Sequence, residues 1–220
     1  ASRYFPLIGI LVGGFGALVF ILAHLILSTP IAIIISIALM ILLTGAFHED
    51  AIADFCDGFG GGYSQEKILA IMKDSRIGTY GAVALILLLM SKFLLISEID
   101  VASIPLVIIS AHALSRLNPV LLIFTSSYVS KDETSKSKPV GKKGSATTLI
   151  VAILFGLAPL CLIPLIYVPF LIIVQALVFF VLRYYVHKKV GGYTGDILGA
   201  LQQFSEIAYY LCFIILSGIL

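Results

Sequence analysis

The sequence predicts an all-α membrane protein, a polytopic helical bundle of about seven transmembrane helices, with six as the alternative count. Of its 220 residues, 60% are hydrophobic and only 12% are charged, and the mean hydropathy is +1.12. A soluble domain of this length cannot bury so much apolar surface, so lipid must cover part of it. Backbone groups have no water to bond in the bilayer core, so the spanning segments should be helices.

Seven apolar runs mark the candidate spans in chain order. They cover residues 5–27, 30–47, 79–97, 101–125, 147–163, 165–187 and 197–220. Pro159, Pro164 and Pro169 interrupt the helical pattern around the fifth and sixth runs, which keeps the six-span bundle open. No repeat of fixed period divides the chain, so we predict one membrane domain over residues 1–220.

Basic residues cluster at the amino terminus and in alternate connections between these runs. The positive-inside rule places those segments in the cytoplasm. We therefore expect a multi-pass protein of the inner (cytoplasmic) membrane with a cytoplasmic amino terminus and a site facing the cytoplasm. The basic residues are Arg3, then Lys67, Lys73 and Arg76, then Lys131, Lys136, Lys138, Lys142 and Lys143, then Lys188 and Lys189.

The densest group of ionisable residues follows the second run, at residues 48–58. Asp50, Asp54 and Asp57 are spaced four and three apart, so a helix would project them from one face. A divalent cation would relieve their repulsion, and hard carboxylate oxygens suit Mg²⁺ that also holds a phosphate. The alternative is a solvated helix end, where acidic residues favour the positive end of the helix dipole.

A basic segment precedes the third run. Lys73 and Arg76 can contact phosphate oxygens, and Asp74 between them would complete the metal shell. Alternatively, these residues are boundary charges that set the orientation in the membrane.

Two ionisable residues lie inside the fourth run. His112 and Arg116 are four apart and share a helix face, in a segment where charge is expensive and usually functional. We predict that Arg116 contacts a substrate phosphate, with His112 beside it. The alternatives are a hydrogen-bonded packing histidine and an arginine that extends to the membrane surface.

The last run carries polar residues on one face. Asp196, Gly199, Gln203 and Glu206 are spaced three, four and three apart, and such a stripe must face protein, water or ligand. Asp196 is a candidate metal ligand or base. The alternative is helix capping by Asp196 with interhelical hydrogen bonds from the two later residues.

Three motifs occur in order along the chain. They read H-x-D-x-x-A-D-x-x-D-G at 48–58, M-K-D-S-R-x-G-T at 72–79 and G-x-T-G-D-x-L-G-A at 192–200. Together they resemble the cobalamin synthase family, the adenosylcobinamide-GDP ribazoletransferases, over nearly the whole chain. The sequence departs from the family at Ala51, where Gly is typical, and in the glycine-rich stretch 60–62. Family members are expected to carry a further amino-terminal segment.

The resemblance implies transfer of the phosphoryl-linked corrinoid from adenosylcobinamide-GDP to α-ribazole or α-ribazole 5'-phosphate, with GMP released and Mg²⁺ as cofactor. No nucleic-acid partner is expected, and a homo-oligomer stays open. An unperturbed imidazole titrates near pH 6.5, so His48 is a candidate to accept the proton of the attacking hydroxyl, and an equally open alternative is that it orients a carboxylate. The predicted catalytic residues are His48, Asp196 and Lys73. The predicted substrate-binding residues are Arg76, Arg116, His112, Thr194, Gln203 and Glu206. The predicted metal ligands are Asp50, Asp54, Asp57 and Asp74.

Two other functions stay open on the sequence alone. A CDP-alcohol phosphotransferase uses a similar run of aspartates, but its D-G-x-x-A-R pattern is absent. A cation-coupled transporter would also carry charge inside its spans, but no inverted repeat is visible.

Overall fold

The computed structural model describes residues 2–129 and 145–219, and most of these residues are helical, with no strand among them. The lysine-rich connection from Lys131 to Lys143 lies outside the described residues. The helices in the described part are α1 (Phe5–His24), α2 (Thr29–Thr44), α3 (Phe47–Gly61), α4 (Gln65–Ile71), α5 (Thr79–Ser97), α6 (Ile104–Ser115), α7 (Leu117–Thr125), α8 (Ala146–Leu157), α9 (Val168–Val190) and α10 (Gly195–Ile219).

The all-α membrane fold is confirmed, and the described residues include five or six candidate spans rather than seven. Five described segments are long and apolar enough to cross a membrane, and α2 with α3 counts as a sixth if that bent pair is one span. This agrees with the six-span alternative. The predicted fifth run is too short, because α8 gives way to a 3-10 helix, Ala158–Leu162, that carries Pro159 near its start. The five segments are Ser2–His24, Thr79–Ser97, Ile104–Thr125, Leu165–Val190 and Gly195–Ile219.

A sharp turn separates the apolar helix α2 from the acidic helix α3. Gly45 and Ala46 both adopt left-handed backbone conformations, with φ of 65° and 55°. Gly ends helices readily in this conformation, whereas Ala there is uncommon. The two helix axes differ by 86°, so the acidic segment turns away from the direction of α2.

Glycines let α1 pack directly on α6. A Cβ atom at Gly9 would overlap the backbone carbonyl of His112, and one at Gly13 would lie 2.9 Å from the Cα of Ile109. Small residues four apart allow this close contact between membrane helices. The packing places the first turn of α1 beside the end of α6.

A second close contact joins α3 to α10. A Cβ atom at Gly199 would collide with the methyl group of Ala51. Ala51 fits at this contact because Gly199 opposite it has no side chain. This contact brings the start of α10, and with it Asp196, to the acidic helix.

Candidate active site

The structure brings carboxylates from two helices together. The segment 48–58 is helical, and Asp50 and Asp54 lie on one face of α3. Asp54 lies close enough to Asp50, Asp57 and Asp196 for the negative charge of each to repel its own. Asp50 is exposed, whereas Asp54 and Asp196 are half-buried. We name Asp50, Asp54 and Asp196 the acidic face.

Asp57 has a different environment from the other aspartates of α3. Its Oδ2 accepts a hydrogen bond from the backbone N–H of Gly78 at 2.7 Å, and its Oδ1 accepts one from that of Gly81 at 2.8 Å. These N–H groups belong to the start of α5, where helix donors lack intrahelical partners. Asp57 therefore caps α5 and ties the acidic helix to the basic segment before it.

Asp74 pairs with its neighbour Arg76. The guanidinium Nη2 lies 2.6 Å from Oδ2, and Nε donates to Oδ1 at 3.0 Å. This hydrogen-bonded pairing lowers the pKa of the Asp74 carboxyl to about 2. The Arg76 side chain is 87% exposed, so it is accessible to a ligand. Lys73 is exposed in the same connection.

The aspartates as placed do not form a metal cage made of protein alone. Among residues 2–129 and 145–219, no three His, Cys, Asp or Glu side chains are arranged to hold a metal ion. Asp57 and Asp74 have the partners just described. Mg²⁺ commonly takes only one or two protein carboxylates and completes its shell with water and substrate phosphates. The carboxylates of the acidic face fit such a shared site.

A second group of charges lies inside the bundle. We name the following residues the charged cluster: Glu49, Lys92, His112, Arg116, Gln203 and Glu206. All are buried, with Glu206 only 2% exposed and Lys92 5% exposed. The Lys92 ammonium lies 3.1 Å from Oε1 of Glu206. The other oxygen of Glu206 accepts a hydrogen bond from Gln202 at 2.8 Å, and Tyr210 donates to Oε1 at 3.4 Å.

Arg116 points into this cluster rather than to the membrane surface. Its Nη1 donates to the backbone carbonyl of His112 and to Nδ1 of the same residue, both at 2.9 Å. Because a guanidinium only donates, Nδ1 must accept, and the imidazole proton lies on Nε2. Within the described chain, no carboxylate oxygen lies within 4.0 Å of the Arg116 guanidinium. The buried Arg116 cation therefore lacks a direct anionic partner.

The polar residues along one face of α10 contribute to both the acidic face and the charged cluster. Thr194 caps the helix, because its hydroxyl accepts the N–H of Ile197 at 3.3 Å, and it also donates weakly to Asp196. Asp196 joins the acidic face. About two and three turns further on, Gln203 donates to Glu49 at 3.1 Å and Glu206 pairs with Lys92.

Two cavities meet at His48 and Arg116. The larger, of about 320 Å³, has an apolar wall and a polar end formed by His48, Arg116 and Gln202. The smaller, of about 20 Å³, lies within the charged cluster and has room for one water molecule. The apolar wall of the larger cavity consists of Phe5, Ile8, Phe47, Pro119 and Leu198, with Gly195 and Gly199 beside it.

Sequence reasoning missed Lys92 as a member of this site. A lysine in the middle of an apolar span is costly unless it is paired, and that signal was available. Glu49 was also passed over, because it stands outside the aspartate spacing. Four buried atoms in or beside the cluster lack a hydrogen-bond partner in the described chain: Glu49 Oε2, His112 Nε2, Gln202 Oε1 and Gln203 Oε1.

The fold and these two regions define a polytopic α-helical membrane protein with acidic and basic groups suited to phosphoryl chemistry. Residues 1–214 match the sequence profile of the cobalamin-5-phosphate synthase family. The chain belongs to this family. That membership favours a transferase of cobalamin synthesis over the CDP-alcohol phosphotransferase and transporter alternatives.

Curated relatives support the same family. The chain is 43% identical to an adenosylcobinamide-GDP ribazoletransferase of Vibrio parahaemolyticus, over 97% of this chain and 81% of the relative. It is 46% identical to one of Shewanella frigidimarina, over 96% and 82%, and 44% identical to one of Shewanella halifaxensis, over 99% and 85%. No solved structure matches the chain.

Proposed function

We propose that this protein transfers the phosphoryl-linked corrinoid of adenosylcobinamide-GDP to a hydroxyl of α-ribazole or α-ribazole 5'-phosphate and releases GMP. The hydroxyl oxygen bonds to the phosphorus that carries the cobinamide, and the bond from that phosphorus to the bridging oxygen breaks. GMP departs with the bridging oxygen. The relatives' names and the family profile support this reaction.

The observation that carries the proposal is the convergence of Asp50, Asp54 and Asp196 from two helices. Displacing GMP from a diphosphate needs charge neutralisation more than a covalent protein intermediate. The acidic face would hold Mg²⁺ together with the diphosphate, and bound Mg²⁺ would neutralise charge on the phosphate oxygens. Lys73 and Arg76 would contact the same oxygens, and Asp74 would hold the guanidinium of Arg76 in place.

Two residues, the buried Arg116 and the half-buried His48, would act where the two cavities meet. Arg116 lines both cavities and has no direct carboxylate partner among the described residues, which favours an anionic group of the substrate as its partner. His48 lines both cavities as well, and its imidazole would accept the proton of the attacking hydroxyl.

Basic residues near the helix ends support a cytoplasmic orientation of the site. Arg3 precedes α1, Lys67 lies in α4, and Lys188 and Lys189 lie in the last turn of α9. The positive-inside rule would put these residues, and the acidic face with them, on the cytoplasmic side of the inner membrane.

The test is GMP release from adenosylcobinamide-GDP and α-ribazole by purified protein in liposomes, with and without Mg²⁺. Asp54→Asn should lower kcat/KM by about 100-fold or more, because it removes charge that acts on the diphosphate. Asp100→Asn is the matched control, because Asp100 is exposed and caps the turn before α6.

Mg²⁺-dependent turnover that Asp54→Asn abolishes and Asp100→Asn retains would support the proposal. Absence of GMP release by folded wild-type protein in the presence of Mg²⁺ would overturn it. Turnover that persists after chelation of divalent cations would overturn the metal role alone.

A further inference from the structure

The 320 Å³ cavity has two chemically different ends. Phe5 and Ile8 of α1, Phe47 of α3, and Pro119 and Leu198 form its apolar wall, and none of these side chains carries a hydrogen-bonding group. His48, Arg116 and Gln202 form the other end. A flat apolar group with a polar substituent at one side would match this division.

Size and polarity decide which part of the substrates fits this cavity. Its volume lies at the low end of ligand pockets, about 300–1,000 Å³, and is too small for a corrin ring. Guanine carries several N–H and C=O groups on its edge, and burying them against apolar side chains costs about 1–3 kcal/mol for each unpaired group. The dimethylbenzimidazole base of α-ribazole has no N–H donor and is largely apolar.

The polar end suits the ribose of the same nucleoside. The Gln202 side chain is buried, and its Nε2 donates to Ser115 and Glu206, which fixes the orientation of the amide. Its Oε1 is an acceptor without a partner in the described chain. Gln202 and Arg116 both line the cavity, so a ribose hydroxyl and an anionic substituent of the nucleoside would meet an amide and a guanidinium there.

We propose that this cavity is the subsite for α-ribazole, with the base between Phe47 and the first turns of α1 and the ribose at Gln202 and Arg116. The inference rests on the proposed function and adds the location of one of its two substrates. It also places the ribose next to His48, the residue proposed to take the hydroxyl proton.

The test introduces a larger side chain at an exposed residue that lines the cavity. Ile8 is 48% exposed although it lines the cavity, so a larger side chain there does not disturb the buried core. Leu11 lies on the same helix, is 64% exposed and does not line the cavity, so Leu11→Trp is the matched control for Ile8→Trp. Equilibrium dialysis gives the Kd of radiolabelled α-ribazole and, separately, that of GDP.

Ile8→Trp should raise the Kd of α-ribazole by about tenfold, and Phe47→Ala should raise it by a smaller factor through loss of aromatic contact with the base. Leu11→Trp should leave it unchanged, and GDP should bind all four proteins equally. The melting temperature of each variant checks folding.

An unchanged Kd of α-ribazole in folded Ile8→Trp would overturn the subsite, as would a rise in the Kd of GDP instead. The first result would leave lipid acyl chains as the occupant of the cavity. Wild-type protein that releases GMP while Ile8→Trp behaves normally would refute the subsite alone. Wild-type protein that neither binds α-ribazole nor releases GMP would refute the proposed function as well.

Discussion

Two ion pairs in this protein have similar geometry and opposite surroundings. Arg76 and Asp74 lie 2.6 Å apart with side chains 87% and 38% exposed, whereas Lys92 and Glu206 lie 3.1 Å apart with side chains 7% and 2% exposed. Water already solvates the first pair, so its net contribution to stability is small. The second pair has lost its water, and each charge depends on the other. Short distance alone therefore does not measure the importance of an ion pair.

The largest effect is expected from breaking the buried pair. Lys92→Met should destabilise the fold by about 3–5 kcal/mol, because it leaves the buried Glu206 without its ion-pair partner. The double variant Lys92→Met/Glu206→Gln should recover most of that loss, because it removes both charges. Unfolding in mixed detergent micelles measures the free energy of unfolding for each variant.

The exposed Lys67 provides the matched control for this substitution. Lys67→Met should change the free energy of unfolding by less than about 0.5 kcal/mol. A loss in the double variant as large as in Lys92→Met would contradict the pairing, since it would mean that the lysine acts through something other than the charge of Glu206.

Arg116 sharpens the comparison, because it is a buried cation without a carboxylate within 4.0 Å in the described chain. Arg116→Lys should lower kcat/KM by about 100-fold, because the ammonium cannot reproduce the fork of donors that a phosphate accepts. Its effect on the melting temperature should be smaller than that of Lys92→Met. Steady-state GMP release and thermal unfolding measure the two quantities, and a large stability loss with normal kcat/KM would make Arg116 structural.

The exposed ion pair could be predicted from the sequence, whereas the buried ion pair could not. Asp74 and Arg76 are two residues apart, and each of the three motifs is a short unbroken stretch of sequence. The spacing of residues within these stretches was therefore enough to identify most of the candidate site. Lys92 lies 114 residues from Glu206 in the chain. Only the packing of α5 against α10 brings them together, and no local pattern encodes that contact.

The same distinction applies to the fold. Hydropathy predicted the helices well, and α5 has the bounds that the third apolar run predicts. It did not predict the 86° bend between α2 and α3, because that bend depends on the backbone conformation of Gly45 and Ala46. The prolines, not hydropathy, indicated the break that follows α8. The aspartate spacing predicted one face of α3 but not the capping role of Asp57, because the N–H groups that it accepts lie more than 20 residues away.

Asp57 gives a smaller expected effect than either buried cation. Asp57→Asn should destabilise the protein by about 1–2 kcal/mol, because the amide keeps one acceptor and turns an N–H₂ group towards a backbone donor. Hydrogen exchange at the start of α5 should accelerate locally, which mass spectrometry can detect. Unchanged exchange there would show that the cap is not needed, and the predicted metal role of Asp57 would then gain support.

The exposed pair should give the smallest effect on stability. Pairing with Arg76 lowers the pKa of Asp74 from 3.8 to about 2. A carboxyl with a lowered pKa stabilises the fold above its unfolded-state pKa, and this contribution is lost only as pH falls from about 4 towards 2. The difference in melting temperature between wild type and Asp74→Asn should therefore be small and constant between about pH 5 and 8, and it should shrink in high salt.

The activity of Asp74→Asn should fall only several-fold, because Asp74 would act by holding Arg76. A loss of activity as large as that of Asp54→Asn, at an unchanged melting temperature, would instead make Asp74 a metal ligand, the role that the sequence alone predicts.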